Sequence, residues 1–480
     1  MRRTKIIATT GPATDRPGVL EKLFKEGTDV FRLNYSHQTH AHHEQRVKEI
    51  RKLSKKYKRA VGVIADLQGP KIRLEHFNQG RVELREGATF TINTELPANA
   101  GNEKHVGVSY KDLPRDVRAG DTLLIDDGRI VLLVKKVSDH KVNCEVITGG
   151  ELSDSKGINL KGGGLSASAL TEKDKIDLEH AVRIGADFIA VSFVRVADDI
   201  LHARKMLDEL NCKARIIAKI ERSESLENIE AIIEVSDAIM IARGDLGVEI
   251  GDASLPPVQK RLIKMARDMD RAVITATQMM ESMIDHQMPT RAEVFDVANA
   301  VLDGADAVML SAETSVGNYP DKAVAAMSRV CAEAEKQRVT QVSDHRINQR
   351  FEAIDEAIAM ATMYSANHID AKAIAALTET GSTCMWMSRI SSGIPIFAFT
   401  RHSSTRRQVS LYRGVYPVKF DITHTDPLMA NKEIIDELLA RNVVSNGDYV
   451  VITKGDLLGR RGGTNNMKII KVGESIEHSL

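Results

Sequence analysis

The chain has 480 residues, 42% of them hydrophobic, and 66 basic residues against 66 acidic ones, so its formal net charge is zero. At about 150 residues per domain this length predicts roughly three domains, while balanced charge and only 4% aromatic residues leave nothing to attract nucleic acid or an anionic membrane. The four cysteines, Cys144, Cys212, Cys331 and Cys384, form no CxxC pair, which argues against a disulfide framework or a cysteine zinc site. No apolar run reaches the ~18 residues of a membrane span, and the stretch after Met1-Arg2-Arg3 is too short for a signal-peptide core. A cytoplasmic protein is expected.

Taken in chain order, apolar runs at 5–10, 30–35 and 61–67 lack polar alternation, as strands buried on both faces do. An amphipathic stretch at 18–25 separates the first two. Residues 70–169 then change texture: strand-like segments at 81–93, 122–137 and 141–148 are punctuated by Glu86-Gly87 and Asp126-Asp127-Gly128. They predict a small inserted β-barrel-like lid, with Gly162-Gly163-Gly164 giving hinge freedom where it ends. Apolar runs resume at 188–193, 215–220, 238–242, 272–276 and 307–310, among amphipathic stretches at 173–184, 200–210, 226–233, 255–268 and 291–302. Strand followed by helix, repeated through eight strands, predicts an α/β fold, a (β/α)8 TIM barrel over 1–69 and 170–344, with an open doubly wound sheet as the alternative. From 345 to 480 a helix at 352–367 and strands at 372–377, 394–400, 414–420, 449–454 and 467–472 predict a C-terminal α/β domain with a mainly parallel sheet.

Barrel active sites form at the carboxyl ends of the strands. There the sequence places Arg32, Asn34, Ser36 and His37, then Asp66, Ser192, Arg195, Lys219, Glu221, Arg243, Gly244, Asp245, Thr277, Gln278, Ser311 and Glu313. Lys219 and Glu221 are two apart, so in an extended strand they share a face; a satisfied ion pair is the simpler reading of that pair taken alone. Glu221 and Asp245, from successive strands, form a pair that suits a hard divalent cation such as Mg2+. Beside Arg32 and Lys219, such a site suits a phosphoryl group, whose transfer is catalysed by positioning and charge neutralisation. Gly244-Asp245-Leu246-Gly247 presents backbone N–H groups to a carboxylate at a helix start, or forms a tight turn. No GxxxxGK[ST] loop is present, which excludes a P-loop nucleotide site. In the third unit, Thr378-Glu379-Thr380-Gly381-Ser382-Thr383 ends a strand before a helix and reads as an anion site, with Arg401, His402, Arg406 and Arg407 facing it; an N-cap with a solvated helix is the alternative.

Long stretches carry a family resemblance: Phe31–His37 (FRLNYSH), Asp66–Arg73 (DLQGPKIR), Ala218–Glu221 (AKIE), Ile241–Glu249 (IARGDLGVE), Ala276–Met283 (ATQMMESM), Pro289–Glu293 (PTRAE) and residues 296–313. Over its whole length the chain resembles the pyruvate kinase family. The resemblance implies phosphoenolpyruvate and ADP as substrates, pyruvate and ATP as products, and Mg2+ or Mn2+ held by Glu221 and Asp245. Lys219 would stabilise the phosphoryl in flight with Arg32 assisting. Arg32, Lys219, Gly244, Asp245 and Thr277 would line the substrate site, and Thr277 would help protonate the enolate through water, with Ser311 and Glu313 extending the route. Asn34, His37, Arg73 and, from the lid, Lys156 would contact the nucleotide. Thr378, Thr380, Ser382 and Thr383 would bind a phosphorylated effector, AMP or a sugar monophosphate rather than fructose 1,6-bisphosphate, because Glu379 repels a second phosphate. A homotetramer is implied. One departure stands out: many members read Asp-Thr-Lys-Gly-Pro-Glu where this chain reads Asp66-Leu67-Gln68-Gly69-Pro70-Lys71. The potassium ligands Asn34, Ser36 and Asp66 are kept, and the Lys71 ammonium is expected to bond those same oxygens and make potassium unnecessary, with a Lys71 that points into solvent and leaves the ion bound as the alternative. The rival readings are another metal-dependent barrel acting on pyruvate or phosphoenolpyruvate, and a non-catalytic metabolite sensor.

Overall fold

Eight parallel strands, Lys5–Thr9, Val30–Asn34, Gly62–Asp66, Phe188–Val191, Arg215–Ile220, Ala238–Ala242, Ala272–Ala276 and Ala307–Leu310, close into a barrel in chain order. Closure is made by the first strand on the eighth, with Lys5 opposite Ala307 and Ala8 opposite Leu310. The coordinates are a computed structural model describing residues 1–341, 350–421, 427–456 and 463–474. All five residues of the first, third, sixth and seventh strands are buried, which is why these runs show no polar alternation.

Helix starts are set by local chemistry. The Thr171 hydroxyl accepts from the Asp174 N–H at 3.2 Å, and the Asp174 carboxylate accepts the Thr171 N–H at 2.9 Å, a capping box opening the helix Glu172–Arg183. The second oxygen of Asp174 accepts the Gly69 N–H at 3.0 Å. The helix following the lid therefore clasps the point where the chain leaves the barrel. Gly69 has φ +67°, and a Cβ there would lie 2.8 Å from that of Ser192, so both conformation and space require glycine.

The insert folds as a six-stranded sheet with a separate two-stranded pair, around its own core of residues such as Phe90, Leu132 and Val142. Gly162, Gly163 and Gly164 all have positive φ, and a Cβ on Gly163 would fall 2.4 Å from the Glu224 carboxylate and Ser223 hydroxyl. The Gly164 N–H donates to Glu224 at 2.6 Å. These glycines thus permit a close docking onto the barrel helix Ser223–Glu227, beyond the hinge freedom expected of them.

The third unit carries a five-stranded sheet in which Ala373–Leu377, Ile396–Thr400, Val415–Lys419 and Tyr449–Lys454 run parallel and Asn466–Lys471 adds an antiparallel edge. Its helix Ile354–His368 starts two residues later than the expected 352. The expected boundary at 344–345 lies outside the described residues. Tyr412, Leu411 and Met363 join Ile7, Ile64, Phe188 and Met240 in one buried cluster, so this unit packs on the barrel end opposite the strand carboxyl termini. Arg389, 1% exposed, donates to both oxygens of the equally buried Asp306 across that boundary. Among the described residues no helix is long and apolar enough to cross a membrane.

The helices His40–Lys56, Pro320–Ala334 and Pro427–Ala440 were absent from the expected elements. The first buries only His43, Val47 and Ile50, a stripe too narrow to stand out among its charged residues.

Candidate active site

Lys219, near the end of the fifth barrel strand, lies at the centre of the barrel mouth. Its ammonium is 2.9 Å from Glu221 Oε1, 3.2 Å from Asp66 Oδ1 and 2.6 Å from the Ser192 hydroxyl. Lys219 and Glu221 do share a side, as the two-residue spacing requires. Asp66 also receives Arg32 Nε at 2.5 Å, while Arg32 Nη1 donates to Thr9 Oγ1 at 3.2 Å. Glu221 Oε2 accepts the Phe193 N–H at 2.8 Å.

The electrostatics follow from burial set against pairing. Burial pulls the Lys219 ammonium toward neutrality, but Asp66 and Glu221 outweigh it and hold its pKa above the ordinary lysine value. Burial likewise opposes ionisation of Asp66, and Arg32 with Lys219 holds it below the usual carboxylate range. Glu221 goes the other way: burial raises its pKa, Lys219 opposes the rise, and Asp245 adds to it. Two carboxylates that disfavour each other's charge fit a hard divalent cation, which would relieve the repulsion and which needs few protein oxygens when substrate supplies the rest. No group of three or more His, Cys, Asp or Glu side chains placed to hold a metal ion occurs among the described residues.

Asp245 lies in the first turn of the helix Arg243–Ile250 and meets Lys71 Nζ at 3.0 Å. This corrects the expectation for Lys71, which bonds Asp245 instead of the oxygens of Asn34, Ser36 and Asp66. The physical reason is charge: Asp66 already faces Arg32 and Lys219, leaving Asp245 as the carboxylate that attracts a third cation. Three carboxylates thus face three cations at the mouth. Asn34 Oδ1 accepts the Ser36 N–H at 3.1 Å, so that segment is folded on itself.

Thr277 has φ +67° and Gln278 φ +54°, a conformation that strains a β-branched residue and recurs at functional sites. Arg243 holds it in place: its Nη2 donates to the Thr277 carbonyl at 2.6 Å and its Nη1 to Asp296 at 2.7 Å. The Thr277 hydroxyl donates to the Ala276 carbonyl at 2.6 Å and accepts the Gly244 N–H at 2.9 Å. The Gly244 N–H, expected to face a substrate carboxylate, is therefore engaged by Thr277 here. Glu313 accepts backbone N–H groups from Met280 at 3.1 Å and Ser311 at 2.6 Å, and burial raises its pKa. The Ser311 hydroxyl is buried without a hydrogen-bond partner among the described residues.

His37 is exposed; its partial burial lowers its pKa, and the charges of Arg73, Arg32 and Lys71 add to the effect. Arg73 donates to the Ser155 carbonyl at 3.0 Å. Lys156 is paired within the lid to Asp126 at 2.7 Å, so the lid's expected nucleotide contact is committed elsewhere in this conformation. Two positioning groups had no role in the sequence reading: Ser192, whose hydroxyl donates to the Leu67 carbonyl at 2.7 Å while accepting from Lys219, and the Phe193 N–H. Phe193, at φ +54°, has no sequence signal for that turn.

At the carboxyl end of the sheet in the third unit, Thr378 Oγ1 accepts the Gly381 N–H at 2.8 Å, Thr380 and Ser382 hydroxyls meet at 2.9 Å, and Thr383 meets Thr464 at 2.9 Å. Of the four basic residues expected to face this loop, His402 and Arg401 do so through Glu379. Arg406 instead caps the Thr400 and Arg401 carbonyls, and Arg407 pairs with Asp187 of the barrel.

Two family models match the chain, "Pyruvate kinase, barrel domain" over residues 1–324 and "Pyruvate kinase, alpha/beta domain" over residues 356–470. Pyruvate kinase II of Salmonella typhimurium is 51% identical over 476 residues, covering 98% of this chain and 99% of that protein. A pyruvate kinase of Haemophilus influenzae is 51% identical over 459 residues, covering 95% of this chain and 96% of its own. A crystal structure of a pyruvate kinase from Cryptosporidium parvum superposes with a TM-score of 0.91 at 34% identity, covering 98% of this chain and 96% of that one.

Proposed function

The chain belongs to the pyruvate kinase family, and on that premise we propose how its residues divide the work of moving a phosphoryl group from phosphoenolpyruvate to ADP. The enzyme is a phosphotransferase yielding pyruvate and ATP. The observation that carries the assignment of roles is the buried Lys219 ammonium, held between Asp66, Glu221 and Ser192 at the barrel mouth.

Lys219 and Arg32 present fixed positive charge to the phosphoryl group as its charge redistributes, and their carboxylate partners hold both in place. Glu221 and Asp245 hold Mg2+ or Mn2+, which when bound neutralises charge on the substrate and the transferred group. Gly244, Asp245 and Thr277 line the substrate site; a substrate carboxylate taking the Gly244 N–H frees the Thr277 hydroxyl from that bond. Thr277 then orders the water that protonates the enolate carbon. Asn34, His37, Arg73 and Lys156 receive the nucleotide, for which Lys156 exchanges Asp126 for a phosphate oxygen. Lid closure excludes water, a competing phosphoryl acceptor.

Potassium is dispensable in this reading. The oxygens that would hold it, from Asn34, Ser36 and Asp66, centre on a carboxylate already facing two cations, and a further unit charge at about 4 Å is repelled by about 4 kcal/mol at an effective dielectric of 20. A parent enzyme inactive in potassium-free buffer until potassium is supplied would sink the idea. The loop bearing Thr378, Thr380, Ser382 and Thr383 takes a phosphorylated effector, and Glu379, although met by Arg401 and His402, favours AMP or a sugar monophosphate over a bisphosphate. A cytoplasmic homotetramer completes the reading.

The test is pyruvate formation from phosphoenolpyruvate, coupled to NADH loss through lactate dehydrogenase, with ADP and Mg2+ each omitted in turn. Strict dependence on both is expected. Pyruvate release without ADP would favour a different barrel enzyme, and none under any condition a metabolite sensor.

A further inference from the structure

We propose that Lys71 is an internal counter-ion of Asp245, competing with a divalent cation for that carboxylate and leaving it when the cation binds. The inference rests on the reading that Glu221 and Asp245 hold the metal. Each carboxylate of the mouth has a distinct cation set: Asp66 meets Arg32 and Lys219, Glu221 meets Lys219, and Asp245 meets Lys71 at 3.0 Å. The first two carboxylates are almost fully buried, and their cations are fixed by further bonds to Thr9 and Ser192. Lys71 and Asp245 differ, with side chains 28% and 22% exposed, and among the described residues the Lys71 ammonium hydrogen-bonds Asp245 alone. A point charge on a flexible four-carbon stem can withdraw from such a place more easily than a forked guanidinium.

The position of Lys71 also couples the metal to the lid. The residue follows Pro70, where the chain leaves the barrel, and its Cε lies 3.3 Å from where a Cβ on Gly157 of the lid would stand. Its stem packs on the lid while its head bonds the barrel helix Arg243–Ile250. A divalent ion at Asp245 cannot share that carboxylate with the ammonium without strong repulsion, so metal capture breaks a contact between lid and barrel. The resting enzyme should hold metal more weakly than its two carboxylates alone would, and anionic substrate, by adding oxygens, tips the exchange toward the metal.

The experiment is equilibrium Mn2+ binding to the full-length enzyme without substrate, read from the EPR signal of free Mn2+. Lys71→Met and Lys71→Gln should each lower the Mn2+ Kd about five- to tenfold, the upper figure equal to ~1.4 kcal/mol. Arg73→Met deletes a charge two residues further along the chain that bonds the Ser155 carbonyl, and should change Kd by less than about twofold, as a charge acting only at a distance does. Asp245→Asn should abolish binding with or without Lys71, and circular dichroism melts confirm that each variant is folded. Unchanged Kd in both Lys71 variants, or an equal shift in Arg73→Met, overturns the counter-ion role while the metal site stands. Full Mn2+ binding by Asp245→Asn overturns the metal site and the counter-ion together.

Discussion

Replacing Lys219 by Met removes one of the two cations that face Asp66 and the cation bonded to Glu221. Two effects of different size follow. Loss of a fixed charge aimed at the transferring group should lower kcat by a factor of about 10²–10³, or ~3–4 kcal/mol, with a much smaller change in KM for phosphoenolpyruvate. Breaking a buried pair strands a carboxylate, and Glu221 is left with the Phe193 N–H, for a stability loss of about 3–5 kcal/mol. The pH dependence carries the sign that distinguishes this cause. Burial and Asp245 already raise the Glu221 pKa against the pull of Lys219, so the variant raises it further. A carboxyl with a raised folded pKa binds more protons folded than unfolded, so the penalty exists only above its unfolded pKa, about 4.3, and shrinks as pH falls toward it. The stability gap between parent and variant, from chemical denaturation, should therefore narrow between pH 8 and pH 5. The coupled lactate dehydrogenase assay reads turnover on the same samples. A folded variant with kcat within tenfold of the parent refutes the catalytic role, and a gap that widens toward acid refutes the stranded-carboxylate argument.

Changing Thr380, Ser382 and Thr383 together to Ala should abolish activation by AMP or a sugar phosphate while activity at saturating phosphoenolpyruvate stays near the parent's; unchanged activation would place the effector elsewhere. Arg389→Ala leaves the Asp306 carboxylate, among the described residues, with the Val273 and Arg413 N–H groups as donors and should cost about 3–5 kcal/mol in denaturant unfolding, a loss under about 1 kcal/mol contradicting the buried pair. Lys5, bonded to the Val415 carbonyl at 2.6 Å, has its pKa lowered to about 8 because burial outweighs the pull of Asp29. The unfolded chain then binds more protons between about pH 8 and pH 10.4, so this group makes stability rise with pH across that window by ~3 kcal/mol. The parent's stability minus that of Lys5→Met should grow by that amount, and a flat or falling difference would count against it.

Both the barrel and the polar residues gathered at its mouth were legible in the chain because their signals are local. Continuous apolar runs such as 62–66 and 272–276 mark strands covered on both faces, and the polar residue closing each run lands at the mouth by the geometry of the barrel. The spacing of Lys219 and Glu221 sets them on one side whatever surrounds them. Family motifs added the roles, which no spacing could supply. The helix His40–Lys56 stayed hidden because its buried stripe is only three residues deep in the core. What tertiary structure alone decided is the pairing of charges. Arg32, Lys71 and Lys219 are separated along the chain from the carboxylates Asp66, Glu221 and Asp245 in ways that admit several matchings, and Lys71 met Asp245 instead of the oxygens near Asp66. The same holds for Gly244, whose N–H went to Thr277, and for Arg407, which turned from the effector loop to Asp187. Periodicity reports which face of an element is apolar, a property of consecutive residues. An ion pair is chosen by distance and burial after every element has packed, and that information exists only once the chain has folded.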